Sequence, residues 1–240
     1  KLQKVGNLSW LINNFGFGKT SNHIDELICL LVKRKPTKED KKAFFKDINN
    51  LRKKIFIPVT LGGGIRNSKD VSDYFNNGAD KILLNTAVFN ENLSKEISQI
   101  YGEQSISIMI DYQSNENDDE KIFVNCGIDF KMNLSEFFKK MKNIKFGEII
   151  FNSIENDGTG KGLDLKILSK IPDNWKKKPI LLMGGAGKPE HIAEGLKKDS
   201  VSGIITANLF NFLGKGLEES RKISLREKIK LADFTSELIL

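Results

Sequence analysis

The sequence predicts an α/β protein of the (β/α)8 barrel class, the TIM-barrel fold, with two related halves. Three observations support this prediction. Apolar, β-branched runs alternate with helical segments, a pattern typical of parallel strands joined by right-handed crossovers. Two of these runs end in glycine-rich turns, GGGIR and GGAGK, and each turn leads into a helix. The two turns and several other residue pairs are also separated by one constant offset, which indicates a duplicated unit.

The offset between the two halves is 122 residues in a chain of 240. It separates three pairs of residues: Gly63 and Gly185, Thr86 and Asn208, and Glu26 and Glu148. Two unrelated βα units could resemble each other by chance. Chance alone would not be expected to place a glycine turn, a polar residue at a strand end and an acidic residue at a strand start all at the same offset. The sequence therefore predicts two half-barrels of related structure.

The expected elements follow from apolar periodicity, capping residues and glycine turns. We expect helices near 7–15, 94–101, 134–144 and 225–238, a helix whose apolar face is Phe44, Phe45 and Ile48, and a helix that begins after an Asn67 cap. We expect strands near 27–32, 56–61, 81–84, 106–111, 148–153, 178–183 and 203–206, with a strand or hairpin excursion at 121–124. Residues 156–162, with the sequence NDGTGKG, are expected to form a glycine-rich loop.

These segments amount to seven barrel strands, where a closed barrel has eight. The shortfall lies at residues 1–23, which hold a helix but no strand. We therefore expect one barrel domain over 1–240 that is incomplete at its amino end. An open doubly wound sheet is less consistent with the sequence, because its glycine fingerprint would follow the first strand.

The composition limits the class of partner. The net charge of +7 could attract nucleic acid, but the lysines are scattered and only three tyrosines and two tryptophans could stack on bases. A phosphorylated small molecule is the expected partner, with no nucleic acid and no membrane. No apolar run reaches membrane-spanning length and no signal peptide is recognised, so the cytoplasm is the expected compartment. We expect no cofactor and no metal, with Cys29 in the core and Cys126 without a role.

Candidate catalytic and binding residues lie where strands end, since barrel enzymes place their chemistry at the carboxyl ends of the strands. Asp111 ends the apolar run ISIMID and is a candidate acid or base, with a strand-end cap as the simpler alternative. Asp157 is a candidate substrate ligand, although an Asp-Gly turn is almost equally consistent. Two histidines, His23 and His191, are expected at the opposite end and outside the chemistry.

Three charged residues begin strands and are expected at the barrel floor, namely Glu26, Lys81 and Glu148. Charge at that face usually means structural ion pairing.

Together these motifs resemble the cyclase subunit of imidazole glycerol phosphate synthase over most of the chain. The motifs are GGGIR, GADKILLNTA, the strand-end aspartate, GEIIFNSIENDGTGKG, GGAGK and TANLF. The resemblance implies a barrel that binds PRFAR, an elongated aminoimidazole-carboxamide ribonucleotide with a phosphate at each end. It also implies a partner glutaminase on the barrel floor, whose ammonia travels through the barrel. The implied products are imidazole glycerol phosphate and AICAR.

The resemblance assigns roles to residues position by position. Asp111 is implied as one of two catalytic aspartates, with the other expected upstream of Lys1. The implied substrate-binding residues are Gly63, Gly64, Asn85 and Thr86 at one phosphate, Gly185, Ala186, Ala207 and Asn208 at the other, and Asp157 and Gly158 in a loop. Glu26, Lys81 and Glu148 are implied members of an ammonia gate, and Asp80 is an implied glutaminase contact.

Departures from the family pattern leave a second interpretation open. Leu31 stands where an acid is common, Asn152 where a hydroxyl residue is, and Met183 where a serine is. These changes resemble a divergent branch associated with surface-polysaccharide genes, in which the barrel is thought to deliver ammonia for sugar amidation. A phosphosugar isomerase on the same fold is a third and weaker hypothesis.

Overall fold

The computed structural model describes residues 8–9, 23–114, 119–207 and 215–232. Within these ranges the strands are β1 (Leu27–Leu30), β2 (Val59–Gly62), β3 (Lys81–Leu84), β4 (Ile106–Gln113), β5 (Lys121–Val124), β6 (Asp129–Asn133), β7 (Glu148–Ser153), β8 (Ile180–Met183) and β9 (Gly203–Ile205). The helices are α1 (Lys38–Arg52), α2 (Ser68–Asn76), α3 (Glu91–Tyr101), α4 (Leu134–Lys140), α5 (Ile167–Lys170), α6 (Pro189–Leu196) and α7 (Gly216–Arg226).

Seven of these strands form one parallel sheet in the order β1-β2-β3-β4-β7-β8-β9. All seven therefore have their carboxyl ends at the same edge, which we call the mouth, and their amino ends at the other, the floor. The expected number of barrel strands is confirmed for the described residues.

The sheet curls so that one of its faces closes on itself. Side chains from six strands meet in a single cluster on this inner face: Ile28, Leu30, Leu83, Met109, Ile150, Leu181, Met183 and Ile205. The cluster includes both β1 and β9, the two ends of the sheet path, so the sheet cannot be flat. An inward-packed parallel sheet with helices after its strands is the (β/α)8 barrel type of fold.

The outer face of the sheet packs against the helices. Alternate residues of one strand divide between the two sides: Leu83 belongs to the inner cluster, whereas Ile82 and Leu84 belong to the larger outer core. Helix α1 contributes Ile48 and Leu51 to the outer core. Its start is fixed by a capping box between Thr37 and Asp40, so the sequence specifies where the helix begins.

The excursion after β4 is an antiparallel hairpin, as expected. Strand β5 pairs with the end of β4, where Asp111 lies opposite Phe123, and β6 pairs with β5. The hairpin therefore stands on the mouth side of the barrel and brings its turn over the strand ends.

Two helices were expected near the ends of the chain. The expected helix at 7–15 lies mostly outside the described residues. The expected helix at 225–238 is wrong where it can be compared: α7 covers Gly216–Arg226, and residues 227–232 form turns and irregular structure. The buried residues of α7 are Gly216, Ser220 and Ser224, which give no apolar periodicity to recognise.

The 122-residue offset is visible in the structure. It relates β1 to β7, β2 to β8, β3 to β9 and α2 to α6 within two residues. The backbone repeats as well, since Gly63 has φ of 103° and its counterpart Gly185 has φ of 94°. The two halves of the sheet therefore share one local structure, as the sequence predicted.

Candidate functional site

The first glycine turn follows β2 at the mouth and is held against the end of β1. The Leu31 N–H donates to the Gly62 carbonyl at 2.9 Å, and the Tyr74 hydroxyl donates to the Gly63 carbonyl. A Cβ atom at residue 63 would lie 2.2 Å from the Leu31 carbonyl oxygen. Close packing against β1 therefore requires glycine here, in addition to any role in ligand binding.

This turn leaves backbone donors without acceptors. Among the described residues, the N–H groups of Gly63 and Gly64 donate to no carbonyl or side chain. The repeat-related N–H groups of Gly185 and Ala186 likewise have no acceptor in the described part of the chain, and both residues are buried. Buried, unpaired N–H groups are rare in folded proteins and call for a partner. Paired, adjacent N–H groups in a turn are an anion-binding arrangement.

A cavity of about 150 Å³ opens at the mouth beside the first turn. It brings together five of the residues that the sequence singled out: Gly63, Gly64, Asn85, Thr86 and Asp111. Its remaining lining includes apolar residues from three strands or the segments that follow them, and three basic residues: Leu30, Leu31, Val32, Leu83, Leu84, Met109, Lys33, Arg34 and Arg66. The cavity thus combines one partly buried carboxylate with an apolar wall and a basic rim.

Asp111 is held by two amide groups inside this cavity. Asn85 Nδ2 donates to Asp111 Oδ2 at 3.1 Å, and Asn152 Nδ2 donates to Asp111 Oδ1 at 2.8 Å. Burial raises the pKa of this carboxyl above its ordinary value, although both amide hydrogen bonds lower it, and the charge of Asp157 adds to the increase. A carboxyl with a raised pKa, fixed in orientation at the mouth, can exchange protons with a bound molecule.

The hairpin turn supplies two cavity residues that the sequence interpretation missed. Asn125 and Cys126 both line the cavity and both have positive φ, 54° and 64°. The Asn125 N–H donates to Thr86 Oγ1 at 3.1 Å, so the Thr86 hydroxyl keeps its own proton free to donate. Cys126 was expected to have no role; it is exposed and lines this cavity. Asn and Gly on either side of it are turn residues, but no motif in the sequence indicates that this turn lies against the cavity.

Cys29 lies in the core, as expected. It packs against the outer core, and burial raises the pKa of its thiol to about 12. The thiol therefore stays protonated at neutral pH.

The second glycine turn follows β8 and is covered by the loop 156–162. The Gly162 N–H donates to the Gly185 carbonyl at 2.9 Å, and Asn156 Nδ2 donates to the Gly162 carbonyl at 3.3 Å. Thr206 Oγ1 donates to the Ala186 carbonyl at 3.0 Å. The predicted loop and the predicted turn thus meet at the mouth.

Four other residues of this half of the barrel were predicted to bind the substrate, namely Asp157, Gly158, Ala207 and Asn208. Asp157 is close enough to influence Asp111 electrostatically, and the adjacent Gly158 is exposed with φ of 75°. Ala207 is exposed at the end of the described segment, and Asn208 lies outside the described residues. Asp157, Gly158 and Ala207 do not line the cavity beside the first turn.

His191 is not at the end where the sequence interpretation placed it. The Gly187 N–H donates to His191 Nδ1 at 3.3 Å, and the ring lies beside Gly162. The reason is topological: α6 begins directly after the turn that ends β8, so its first residues lie at the mouth. The expectation for His191 was therefore wrong in position.

The floor carries the predicted charged cluster. Lys81 Nζ lies 2.7 Å from Glu26 Oε1 and 2.9 Å from Glu148 Oε2, and the Ser107 hydroxyl donates to Glu148. Burial on its own would lower the pKa of Lys81, but its hydrogen bonds to both glutamates raise it overall. Lys81 therefore remains charged at neutral pH and spans the floor from β1 to β7.

Asp80 is engaged within its own chain. Its Oδ2 accepts from the Val59 N–H at 2.8 Å and from Arg52 Nη1 at 3.1 Å. Its side chain nonetheless stays partly exposed on the floor, beside the Lys81 cluster.

Two further features of the described residues bear on function. No helix in these ranges is both long and apolar enough to cross a bilayer. No group of three or more His, Cys, Asp or Glu side chains in the same ranges could hold a metal ion.

Comparison with known proteins agrees with this geometry. The family model described as "Histidine biosynthesis protein" matches residues 21–215. A protein of Parasynechococcus marenigrum, provisionally named imidazole glycerol phosphate synthase subunit hisF2, is 40% identical over 94% of this chain and 83% of its own. Proteins named imidazole glycerol phosphate synthase subunit HisF are 32% identical in Clostridium botulinum and 33% in Bacillus cereus, each over 85% of this chain and 80% of their own. The chain therefore belongs to the histidine biosynthesis protein family, as a HisF-like member.

Proposed function

We propose that this protein is the cyclase subunit of a glutamine-dependent imidazole glycerol phosphate synthase. In this role it uses ammonia from a partner glutaminase to convert PRFAR to imidazole glycerol phosphate and AICAR, which is carbon–nitrogen lyase and cyclase chemistry. The observation that carries the proposal is the pair of repeat-related turns whose N–H groups have no acceptor among the described residues, with Asp111 also at the mouth. That arrangement suits a small molecule with a phosphate at each end.

The first turn is the better-defined phosphate site. The free N–H groups of Gly63 and Gly64 and the free hydroxyl proton of Thr86 supply donors for phosphate oxygens. Asn85 donates both to Asp111 and to the Met109 carbonyl at 3.1 Å, so its amide nitrogen positions the carboxylate.

The second phosphate site consists of Gly185 and Ala186, with Ala207 and Asn208, which follow β9 in the sequence. The loop that contains Asp157 and Gly158 covers this turn and closes over the far end of the substrate.

Asp111 is the proton-exchanging group of this mechanism. As ammonia adds to the substrate and the ring closes, protons must leave nitrogen and reach oxygen. A carboxyl whose pKa is raised by burial holds a proton more readily than an ordinary carboxyl and can accept and return such protons.

The floor cluster admits the nitrogen source. Glu26, Lys81 and Glu148 close the floor end of the barrel interior, and the apolar inner cluster separates them from Asp111. A glutaminase bound to the floor next to Asp80 would deliver ammonia there, and movement of Lys81 would open the path.

A second function has specific support. Leu31 and Met183 place apolar side chains in the cavity and the inner cluster, and Asn152 binds Asp111 in place of a hydroxyl. These residues favour a barrel that conducts ammonia to a separate amidotransferase for sugar amidation and performs no cyclisation itself.

Turnover of PRFAR with ammonium chloride as the nitrogen source distinguishes the two functions. The proposal predicts consumption of PRFAR by the wild-type protein and a loss of at least about 100-fold in Asp111→Asn. Direct titration with PRFAR should show that the variant still binds the substrate, because the phosphate donors are unchanged.

Two outcomes would contradict the cyclase proposal. One is wild-type protein that binds PRFAR without ever consuming it. The other is stimulation of a glutaminase that survives Asp111→Asn in a protein without PRFAR turnover, which is the behaviour expected of the conduit.

A further inference from the structure

Phe56 is exposed to an unusual degree for an aromatic residue. It is 96% exposed, whereas the next most exposed large apolar side chain of the described residues, Ile100, is 63% exposed. Its neighbours in sequence, Ile55 and Ile57, are buried in the outer core, so the backbone here is fixed and presents Phe56 outward. A rigidly presented aromatic ring is a typical anchor for a partner protein.

Phe56 lies on the floor, next to the charged cluster. It precedes β2 by three residues, and the Ile57 carbonyl accepts from Arg52 Nη1 at 3.1 Å. The same guanidinium contacts Asp80, which directly precedes Lys81. The ring therefore stands beside the end of the barrel that Lys81 closes.

The loops that lead into the strands make this face basic. Exposed lysines without an ion-pair partner among the described residues are Lys53, Lys54, Lys142, Lys177 and Lys198. The acids on these loops are mostly neutralised within the chain: Asp80 by Arg52, Glu103 by Lys145 and Lys178, and Asp173 by Lys176. Asp199 is the exposed acid of these described loops without such a partner. The face thus has unbalanced positive charge around one apolar anchor.

We infer that the floor docks a glutaminase subunit through Phe56, and that this partner has an apolar socket surrounded by acidic side chains. The identification of the partner as a glutaminase rests on the proposed function. The acidic side chains expected around its socket follow from the positive charge of the floor. Opposite charge across the rim speeds association, and burial of the aromatic ring slows dissociation.

The test measures binding of the full-length protein to the glutaminase subunit encoded by the same organism. The variants are Phe56→Ala and the double change Lys53→Glu with Lys54→Glu. Matched controls are Phe130→Ala, an exposed phenylalanine on the hairpin, and Lys42→Glu with Lys46→Glu on the outer surface of α1. Thermal unfolding of each variant checks that the fold is retained, as expected for exposed side chains.

We expect Phe56→Ala to weaken binding by at least about 10-fold, chiefly through faster dissociation. The double lysine change should slow association and reduce its dependence on salt, because fewer charges are then screened. Both controls should bind as the wild type does.

The inference is overturned if Phe56→Ala binds as tightly as the wild type, or if the α1 double variant loses as much as the floor variant. Turnover of PRFAR with ammonium is assayed in parallel on the wild-type protein. If that turnover proceeds but no complex forms, the docking inference fails together with the glutaminase partnership, and the ammonia-dependent cyclase chemistry of the proposed function stands. If the complex depends on Phe56 but no turnover occurs, the cyclase proposal fails and the docking inference stands.

Discussion

The ionisation of Asp111 depends on opposing effects at one side chain. Burial raises its pKa, and the two amide donors stabilise the charged form and so limit the increase. Asn152 is the more informative donor, because it is also one of the departures from the family pattern. Replacing it tests whether Asp111 acts as a base.

Asn152→Leu should raise the pKa of Asp111 further, since a hydrogen bond to a charged group contributes about 1.5–3 kcal/mol. If the ionised carboxylate is the active form, the acidic limb of the pH profile for ammonium-driven kcat/KM should move to higher pH. Asn143→Leu, at an exposed position, should leave that limb unchanged. A limb that stays in place or moves to lower pH would contradict the assigned role.

Residues of the site differ in how far the sequence predicts them. Asp111 was predicted because an apolar run ends at it, and Asn85 and Thr86 because they follow a strand in a recognised motif. Asn125 and Cys126 reach the cavity through a hairpin turn with positive φ, a conformation that asparagine favours and cysteine does not. The residue types do not indicate that this turn reaches the cavity. Long-range contacts of this kind depend on tertiary structure and leave no local pattern.

At the scale of the element, the two glycine positions Gly63 and Gly158 differ in their surroundings. Both have positive φ, but a Cβ at 63 would contact the Leu31 backbone, whereas a Cβ at 158 would have nothing within 4 Å. Gly63→Ala should therefore cost at least about 2 kcal/mol of unfolding free energy, through clash and strain together.

Gly158→Ala is the matched control and should cost about 1 kcal/mol, from backbone strain alone. Unfolding in urea measures both differences. Equal losses in the two variants would show that packing against β1 does not restrict the first turn.

Strands were easier to predict than helices for a physical reason. The central parallel strands are mostly buried and read as continuous apolar runs, so the expected strands agree with the structure within a few residues. Helix α7 was misplaced because it buries glycine and serine, while its Leu225 is exposed. Close packing through small residues gives no hydrophobic signal.

At the scale of the whole molecule, the account depends on a division between the two ends of one barrel. The mouth holds Asp111 and the two turns whose N–H groups have no acceptor in the described part of the chain. The floor holds the Lys81 cluster and Phe56. The 122-residue repeat predicted this arrangement from sequence, since related halves must place equivalent turns at the same end. The unpaired N–H groups and the basic floor became evident only from the structure.

The measurement that tests this division most directly compares two nitrogen sources in Lys81→Met. PRFAR turnover is assayed once with ammonium chloride and once with glutamine and the partner glutaminase. Lys140→Met, which removes a surface ion pair with Glu136, is the control.

We expect Lys81→Met to lower glutamine-driven turnover by about 10-fold or more relative to ammonium-driven turnover. The substitution leaves Glu26 and Glu148 without their partner, which disturbs the floor and leaves the reaction site at the mouth unchanged. An equal fall with both nitrogen sources, or no fall with either, would contradict the claim that nitrogen enters through the floor and reacts at the mouth.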